Sequence, residues 1–302
     1  MARSEKKYSF EEARQRLVGI LPPEDFHRES QARLEARLLK RFKEAEERRK
    51  KIDPLMAALR EPLVDLVKQR EGYERNVSAV RELARQLAKE KLEPPKVEPV
   101  TPRIFTGSVN LTTPPPYTWP WTWSATSGSA LSPNVSADNT AGTMGFFIEG
   151  GNNGGGGSAS AMAAMVTYVQ PMTEIGILLI SSAPAFNYKW WSYNTLDSSH
   201  SSAWIGLFVI AYTLDFSEYA VPIEQQIYLW DESHSFFDSS DGQGSNSGFP
   251  LSATTIVNGD SFYQVWVVCG GTATADGYHT FWGSSAASIL TVAVPAINME
   301  LY

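Results

Sequence analysis

Apolar residues in the first third of the chain recur in steps of four and three. Arg49 and Arg70 occupy the two places that would complete the series. This heptad spacing predicts an amphipathic helix with a coiled-coil seam, because two or more helices can bury such a stripe against each other. The predicted seam comprises Leu38, Phe42, Ile52, Met56, Leu59, Leu63, Leu66, Tyr73, Val77, Val80 and Leu87.

Two prolines fall inside this pattern. Asp53 followed by Pro54 is typical of a helix start, and Pro62 predicts a kink because proline removes a helical hydrogen bond. The heptad register continues past both, which favours one interrupted rod in a homo-oligomer, with a trimer preferred. The alternative is a bundle of shorter helices within one chain.

From residue 104 onward the pattern changes to short apolar runs rich in β-branched and aromatic residues, separated by Gly, Ser, Asn and Asp. About nine such runs predict an antiparallel β-sandwich or jelly roll. The run SAMAAMVTYV departs from the trend at its start, because Ala and Met favour helix.

The fold class is therefore α + β in separate parts, with four predicted segments. Residues 1–23 form an N-terminal anchor helix, and 24–92 a heptad-repeat stalk. Residues 93–125 form a linker and collar rich in Pro and Trp, and 126–302 a β-sandwich head.

Charge divides the chain at the same place. The first hundred residues hold 24 of the 26 Lys and Arg and 19 of the 33 Asp and Glu. A head almost without Lys and Arg offers trypsin-like proteases few sites and attracts little nucleic acid or anionic membrane. Three glutamates precede the basic run at 48–51 at helical spacing, so a solvated, self-paired face is expected and nucleic acid is not.

The sequence predicts neither a disulfide nor a membrane anchor. Cys269 is the one cysteine, and the first ten residues lack the apolar core of a signal peptide. The apolar run 204–212 is shorter than the roughly 20 residues that a spanning helix needs. We therefore expect synthesis in a host cytoplasm and release by lysis or a dedicated machine.

Motifs for catalysis are weak, so we expect no enzymatic activity and no cofactor. The Gly-Asp-Ser sequence at 259–261 follows Asn258 in a stretch typical of a hairpin turn. The glycine-rich stretch 151–157 lacks the Lys and Ser/Thr of a phosphate loop.

Three groups of side chains are candidate sites. Trp119, Trp121 and Trp123 alternate, so an extended strand would place their rings on one face, where they could stack on sugars or pack internally. A second group for ligand contact, with burial in a strand as its alternative, comprises Lys189, Trp190, Trp191 and Tyr193. Asp231 and His234 could ligate a metal, although a solvated acidic loop is the default.

Anchor helix, heptad rod, Pro-rich collar and lysine-poor β head together resemble the layout of viral and phage fibres, spikes and receptor-binding proteins. The resemblance implies a homotrimeric virion protein that joins other virion proteins through its N-terminal region and binds a host glycan or protein through its head. One alternative is a jelly-roll capsid protein with an internal helical N-terminal region. Another is a secreted or injected pore-forming toxin or lectin.

Overall fold

A computed structural model describes residues 24–68, 82, 93, 95, 109–151, 156–171, 175–194, 197–213, 218–235, 238–277 and 284–302. These residues contain one long helix, α1 (Glu24–Lys68), and fourteen strands. The strands are β1 (Val109–Thr113), β2 (Trp119–Gly128), β3 (Asn134–Asp138), β4 (Thr143–Gly150), β5 (Gly157–Val169), β6 (Gly176–Ser182), β7 (Ala185–Tyr193), β8 (Ser198–Thr213), β9 (Tyr219–Ser235), β10 (Ser239–Asn246), β11 (Leu251–Val257), β12 (Ser261–Ala275), β13 (Ser285–Ala293) and β14 (Ile297–Leu301).

The strands form three antiparallel sheets. The front sheet has the order β10-β7-β13-β4-β3, and the back sheet has the order β2-β5-β12-β8-β9. A short sheet, β1-β14-β6-β11, is joined to the front sheet along the chain. Strand β6 leads into β7 through Pro184, and β13 leads into β14 through Pro295. Proline cannot donate to a strand ladder, which accounts for the interruption at both joints.

The main core lies between the facing sheets. Alternate residues of the long central strands point into it, among them Met165 on β5, Ile205 on β8 and Val267 on β12. Ile148 and Leu290 of the front sheet belong to the same buried cluster. Cys269 is fully buried in this core, and burial raises the pKa of its thiol to about 12.

The back sheet is apolar on its other face as well. A second set of buried residues, which we call the outer cluster, covers that face: Trp121, Met162, Ala164, Val166, Tyr168, Trp204, Phe208, Ile210, Tyr212, Phe262, Trp266 and Val268. A strand that is buried on both faces has no polar alternation, which explains the continuous apolar run in β8. Helix α1 lies against this face and packs Leu34 and Leu38 onto the outer cluster.

The β-sandwich prediction is confirmed, and the number of strands among the described residues exceeds the nine expected. Strand β1 and the first seven residues of β2 lie within the segment predicted as a collar, and SAMAAM belongs to β5. Helix α1 continues through Pro54 and Pro62, so neither proline ends it. The predicted anchor at 1–23 lies outside the described residues. Within those residues, no helix is both long and apolar enough to cross a membrane.

A heptad coiled coil is not shown. Leu38 of the predicted seam packs on the sheet of its own chain, and Phe42 faces the same sheet. Ile52, Met56, Leu59, Leu63 and Leu66 lie in α1, in the part whose side chains are not described. Tyr73, Val77, Val80 and Leu87 lie outside the described residues. For these nine positions the seam stays a prediction.

Glu149 on β4 provides a pH test of the fold. Burial raises the pKa of its carboxyl from 4.5 to about 7. The folded group therefore keeps its proton at pH values where the unfolded group has lost it, and stability falls as the pH rises from about 4.5 to 7. We expect Glu149→Gln to raise the free energy of unfolding at pH 8 by about 1 to 3 kcal/mol and to change it little at pH 4.

Urea unfolding at the two pH values measures this effect. Glu218→Gln, at an exposed glutamate, is the matched control for the loss of one carboxylate. Equal effects of Glu149→Gln on the free energy of unfolding at pH 4 and pH 8 would contradict a raised pKa for the Glu149 carboxyl.

Candidate functional site

Helix α1 is held on the back sheet by ion pairs along one of its sides. Arg37 Nη2 and Arg41 Nη1 contact the two carboxylate oxygens of Glu224 on β9 at 3.1 and 3.0 Å. One turn earlier, the guanidinium of Arg33 lies 5.9 Å from the ring centre of Tyr219. The four-residue spacing of these arginines places them on one side of the helix, towards β9.

A second anchor lies where α1 meets the opposite part of the sheet. Arg49 Nε lies 3.3 Å from Oδ1 of Asp276, and Arg49 also donates to Ser158 Oγ. Ser127 Oγ on β2 donates to Glu46 at 2.6 Å. Arg49, which breaks the heptad pattern, is thus the residue that ties the helix to β5 and to the end of β12.

A cleft of about 410 Å³ opens between α1 and the back sheet. It lies between the ion pairs to Glu224 and the contacts of Arg49. The helix contributes Leu38, Arg41, Phe42, Ala45, Glu46 and Arg49. The sheet contributes Trp123, Ser158, Ser160, Ala161, Met162, Trp204, Tyr228, Gly271, Thr272 and Thr274. Aromatic, hydroxyl and charged side chains therefore line one cavity.

One row of residues crosses all five strands of the back sheet, and four of its five members line the cleft. Trp123 pairs with Met162, Met162 with Gly270, Gly270 with Trp204, and Trp204 with Tyr228. We call these five residues the aromatic row. Trp123 is half-buried, Trp204 is buried against Phe208, and Tyr228 is 54% exposed.

Gly270 makes room for the aromatic row. A Cβ atom at this position would lie 2.5 Å from Cζ2 of Trp204 and 3.0 Å from Cγ of Met162. The indole of Trp204 therefore lies across the glycine, and a larger residue would push this rigid ring out of place.

Hydroxyl groups replace apolar side chains on the next residues of the same face. Ser160 Oγ and Thr272 Oγ1 are 3.0 Å apart, as are Ser158 Oγ and Thr274 Oγ1. The cleft thus lies where the outer face changes from aromatic to hydroxyl-bearing.

The three tryptophans predicted to share a face on β2 do so, but only Trp123 lines the cleft. Trp121 is buried and packs edge-on against Trp266 at 5.4 Å. Trp119 packs in the same way against Tyr168 at 4.6 Å.

The second predicted group divides between the two faces of β7. Trp190 points into the main core and stacks on Trp230, with ring centres 6.4 Å apart. Trp191 and Tyr193 pack on the opposite face with Ala287 and Ile289, and Lys189 is buried as well. These four side chains do not form one exposed surface.

Asp231 and His234 belong to different polar pairs. Asp231 Oδ1 lies 3.5 Å from Nε2 of His200, while His234 Nδ1 lies 2.9 Å from Oδ2 of Asp238. Residues three apart in a strand point to opposite faces, so the two do not converge on one ion. In the part of the chain that the structure describes, no group of three or more His, Cys, Asp or Glu could hold a metal.

Ser240 Oγ lies 2.6 Å from Nε2 of His234. Together with the bond from His234 to Asp238, this contact links Ser, His and Asp in the same sequence as a nucleophilic triad. The sequence did not predict this grouping. A Ser–His–Asp series of hydrogen bonds alone does not define an acyl-transfer site. Such a site also needs donors for the oxyanion and a substrate cleft. These bonds tie β9 to β10, and we assign no chemistry to them.

No protein-family model matches the sequence, and no curated protein matches it. Among solved structures, the chain is similar to one that concerns the promiscuous specificity of carbohydrate-binding modules from the β-sandwich superfamily. The identity is 9% and the TM-score 0.17, over 57% of this chain and 56% of that chain.

The chain is also similar to structures of infectious bursal disease virus, Gx and Gt strains. The identities are 10% and 11% and the TM-scores 0.13 and 0.12, over 69% of this chain in both cases. The chain covers 46% and 45% of those two chains, and it therefore spans about half the length of these three similar structures. Similarity at these TM-scores carries no argument about function.

The pairing of Arg49 with Asp276 can be tested by a double-mutant cycle. Their side chains are 22% and 9% exposed, so both charges have lost most of their hydration and the ion pair compensates for part of that loss. We expect a coupling energy of about 1 to 2 kcal/mol between Arg49→Met and Asp276→Asn, measured by urea unfolding.

The matched control is the exposed pair of Lys40 and Glu44 on the same helix, 3.9 Å apart. Its coupling should stay below about 0.5 kcal/mol. If the two cycles give the same coupling, Arg49 does not anchor the helix.

Proposed function

We propose that this chain is a non-enzymatic structural protein of a virus particle, built on a jelly-roll domain. The strand order carries the proposal. Eight strand positions can be numbered along the chain: β4, β5, β6 with β7, β8, β9, β10 with β11, β12, and β13 with β14. The front sheet then has the order six-three-eight-one, and the back sheet two-seven-four-five.

This order is that of two interlocked Greek keys, the arrangement of the double-sheet jelly rolls found in viral capsid and lectin domains. The position of α1 favours a shell component over a fibre. A fibre stalk needs its apolar stripe for partner helices, whereas Leu38 and Phe42 face the sheet of their own chain. A trimeric fibre or spike remains the alternative form of the same proposal, with the virion as the location.

An exposed apolar patch on the short sheet supports assembly. Ile177 pairs with Ile256 across β6 and β11, and the two are 49% and 74% exposed. Tyr302 exchanges backbone hydrogen bonds with Ile177 at 3.0 and 3.1 Å. The side chains of Tyr302 and Ile175 are both exposed. Exposed apolar patches are typical of protein interfaces, and we propose that further copies of the chain cover this one.

Light scattering and electron microscopy of the full-length protein test the proposal. We expect regular multimers, either closed shells or discrete capsomers. The double variant Ile177→Asp/Ile256→Asp should give smaller species, because charges on the patch would have to be buried at the interface.

Leu131→Asp, at an exposed leucine outside the patch, is the control and should assemble like the wild type. Circular dichroism should be the same for all three proteins. A wild-type protein that stays monomeric at all concentrations would contradict the proposal, as would a double variant that assembles normally.

A further inference from the structure

The cleft under α1 combines two kinds of surface that seldom meet in a packed interior. The aromatic row crosses its floor, and hydroxyl pairs border the row on the same face. We propose that this cleft binds a neutral oligosaccharide, laid across the strands along the aromatic row. A sugar ring presents C–H groups on its faces and hydroxyls at its edge, so a pyranose that stacks on the aromatic row can direct its edge hydroxyls to the adjoining hydroxyl pairs.

The dimensions favour a chain of several sugar units. Trp123 on β2 and Tyr228 on β9 lie at the two ends of the row, four strand spacings apart. At about 4.8 Å per spacing, the row is roughly 19 Å long. Trp204 lies between them, and Phe42 and Ala45 of α1 face the row from above.

The hydroxyl pairs retain hydrogen-bonding capacity. A bond between two hydroxyls uses one of their two hydrogens, so Ser160 and Thr272 together keep one donor and several lone pairs. These groups could bond to sugar hydroxyls in either direction, which suits a ligand whose groups both donate and accept.

The charges at the cleft disfavour an ionic ligand. Arg41 is paired with Glu224, and Arg49 with Asp276 and Glu46. An acidic ligand would have to compete with these carboxylates for the guanidinium groups, and a basic ligand would find Glu46 already engaged by Arg49 and Ser127. A neutral ligand leaves all of these pairs intact.

This proposal adds a ligand to the function given above and rests on that function for its biological role alone. Sugar binding and assembly involve different surfaces, the back-sheet cleft and the short-sheet patch. The variant Ile177→Asp/Ile256→Asp should therefore still bind the sugar. A wild-type protein that assembles but binds no sugar overturns only the present inference. A wild-type protein that binds sugar but does not assemble overturns only the proposed function.

Titration of the full-length protein tests the inference. The probes are maltohexaose, cellohexaose, N-acetylchitohexaose and xylohexaose as neutral sugars, with a heparin hexasaccharide as the acidic comparison. Intrinsic tryptophan fluorescence and calorimetry report binding. We expect at least one neutral hexasaccharide to bind saturably, and the heparin fragment not to bind.

Trp123→Ala should lower the affinity about tenfold, since it removes one aromatic contact. Gly270→Ala should lower it as well, by displacing Trp204. Trp119→Ala is the matched control, because Trp119 lies on the same strand and face but does not line the cleft.

Three results would overturn the inference: no neutral sugar binds, the heparin fragment alone binds, or Trp119→Ala and Trp123→Ala weaken binding equally. Circular dichroism and thermal unfolding of each variant separate a lost contact from a lost fold. Ser160→Ala, a small change at a hydroxyl pair, gives a further readout if Trp123→Ala fails to fold. It should weaken sugar binding without changing the melting temperature by more than a few degrees.

Discussion

The back sheet has two apolar faces, and the rest of the structure follows from the need to cover both. The front sheet covers one face and completes the main core. The other face carries the outer cluster, with large buried side chains such as Trp121 and Trp266. Leaving this face in water would forfeit the hydrophobic free energy of each of these side chains, about 1.5 to 3 kcal/mol for a large apolar one. Helix α1 lies over it and contributes Leu34 and Leu38.

The uneven distribution of charge along the chain is consistent with this arrangement. A basic helix docks on a β domain that has almost no Lys or Arg, through Arg37, Arg41 and Arg49 against Glu224 and Asp276. The helix packs Leu34 and Leu38 on the apolar part of the outer face and bonds to the hydroxyl-bearing part through Arg49, and the cleft lies between these two contacts. One docking event thus accounts for the buried outer cluster and for the candidate site.

Local patterns in the sequence were enough to predict the helix, the sandwich and the shared face of Trp119, Trp121 and Trp123, because helical and strand periods are local properties. Local patterns could not show what the heptad stripe contacts, because the apolar spacing is the same whether a second helix or a sheet covers the stripe. Arg49 interrupts the heptad pattern, and in the structure it bonds to the sheet instead of facing a second helix. The aromatic row was out of reach, because its residues come from five strands that lie far apart in the sequence and meet only through sheet order and register.

In the structure, α1 covers the back sheet of its own chain. Photocrosslinking of the full-length protein tests it most directly, with p-benzoylphenylalanine in place of Leu38, which lines a small cavity with Phe208 and Ile210. Mixing isotope-labelled and unlabelled chains before irradiation distinguishes crosslinks within a chain from those between chains. We expect crosslinks to β8 or β9 of the same chain. Crosslinks to the helix of a second chain would contradict this arrangement and would support the coiled-coil stalk instead.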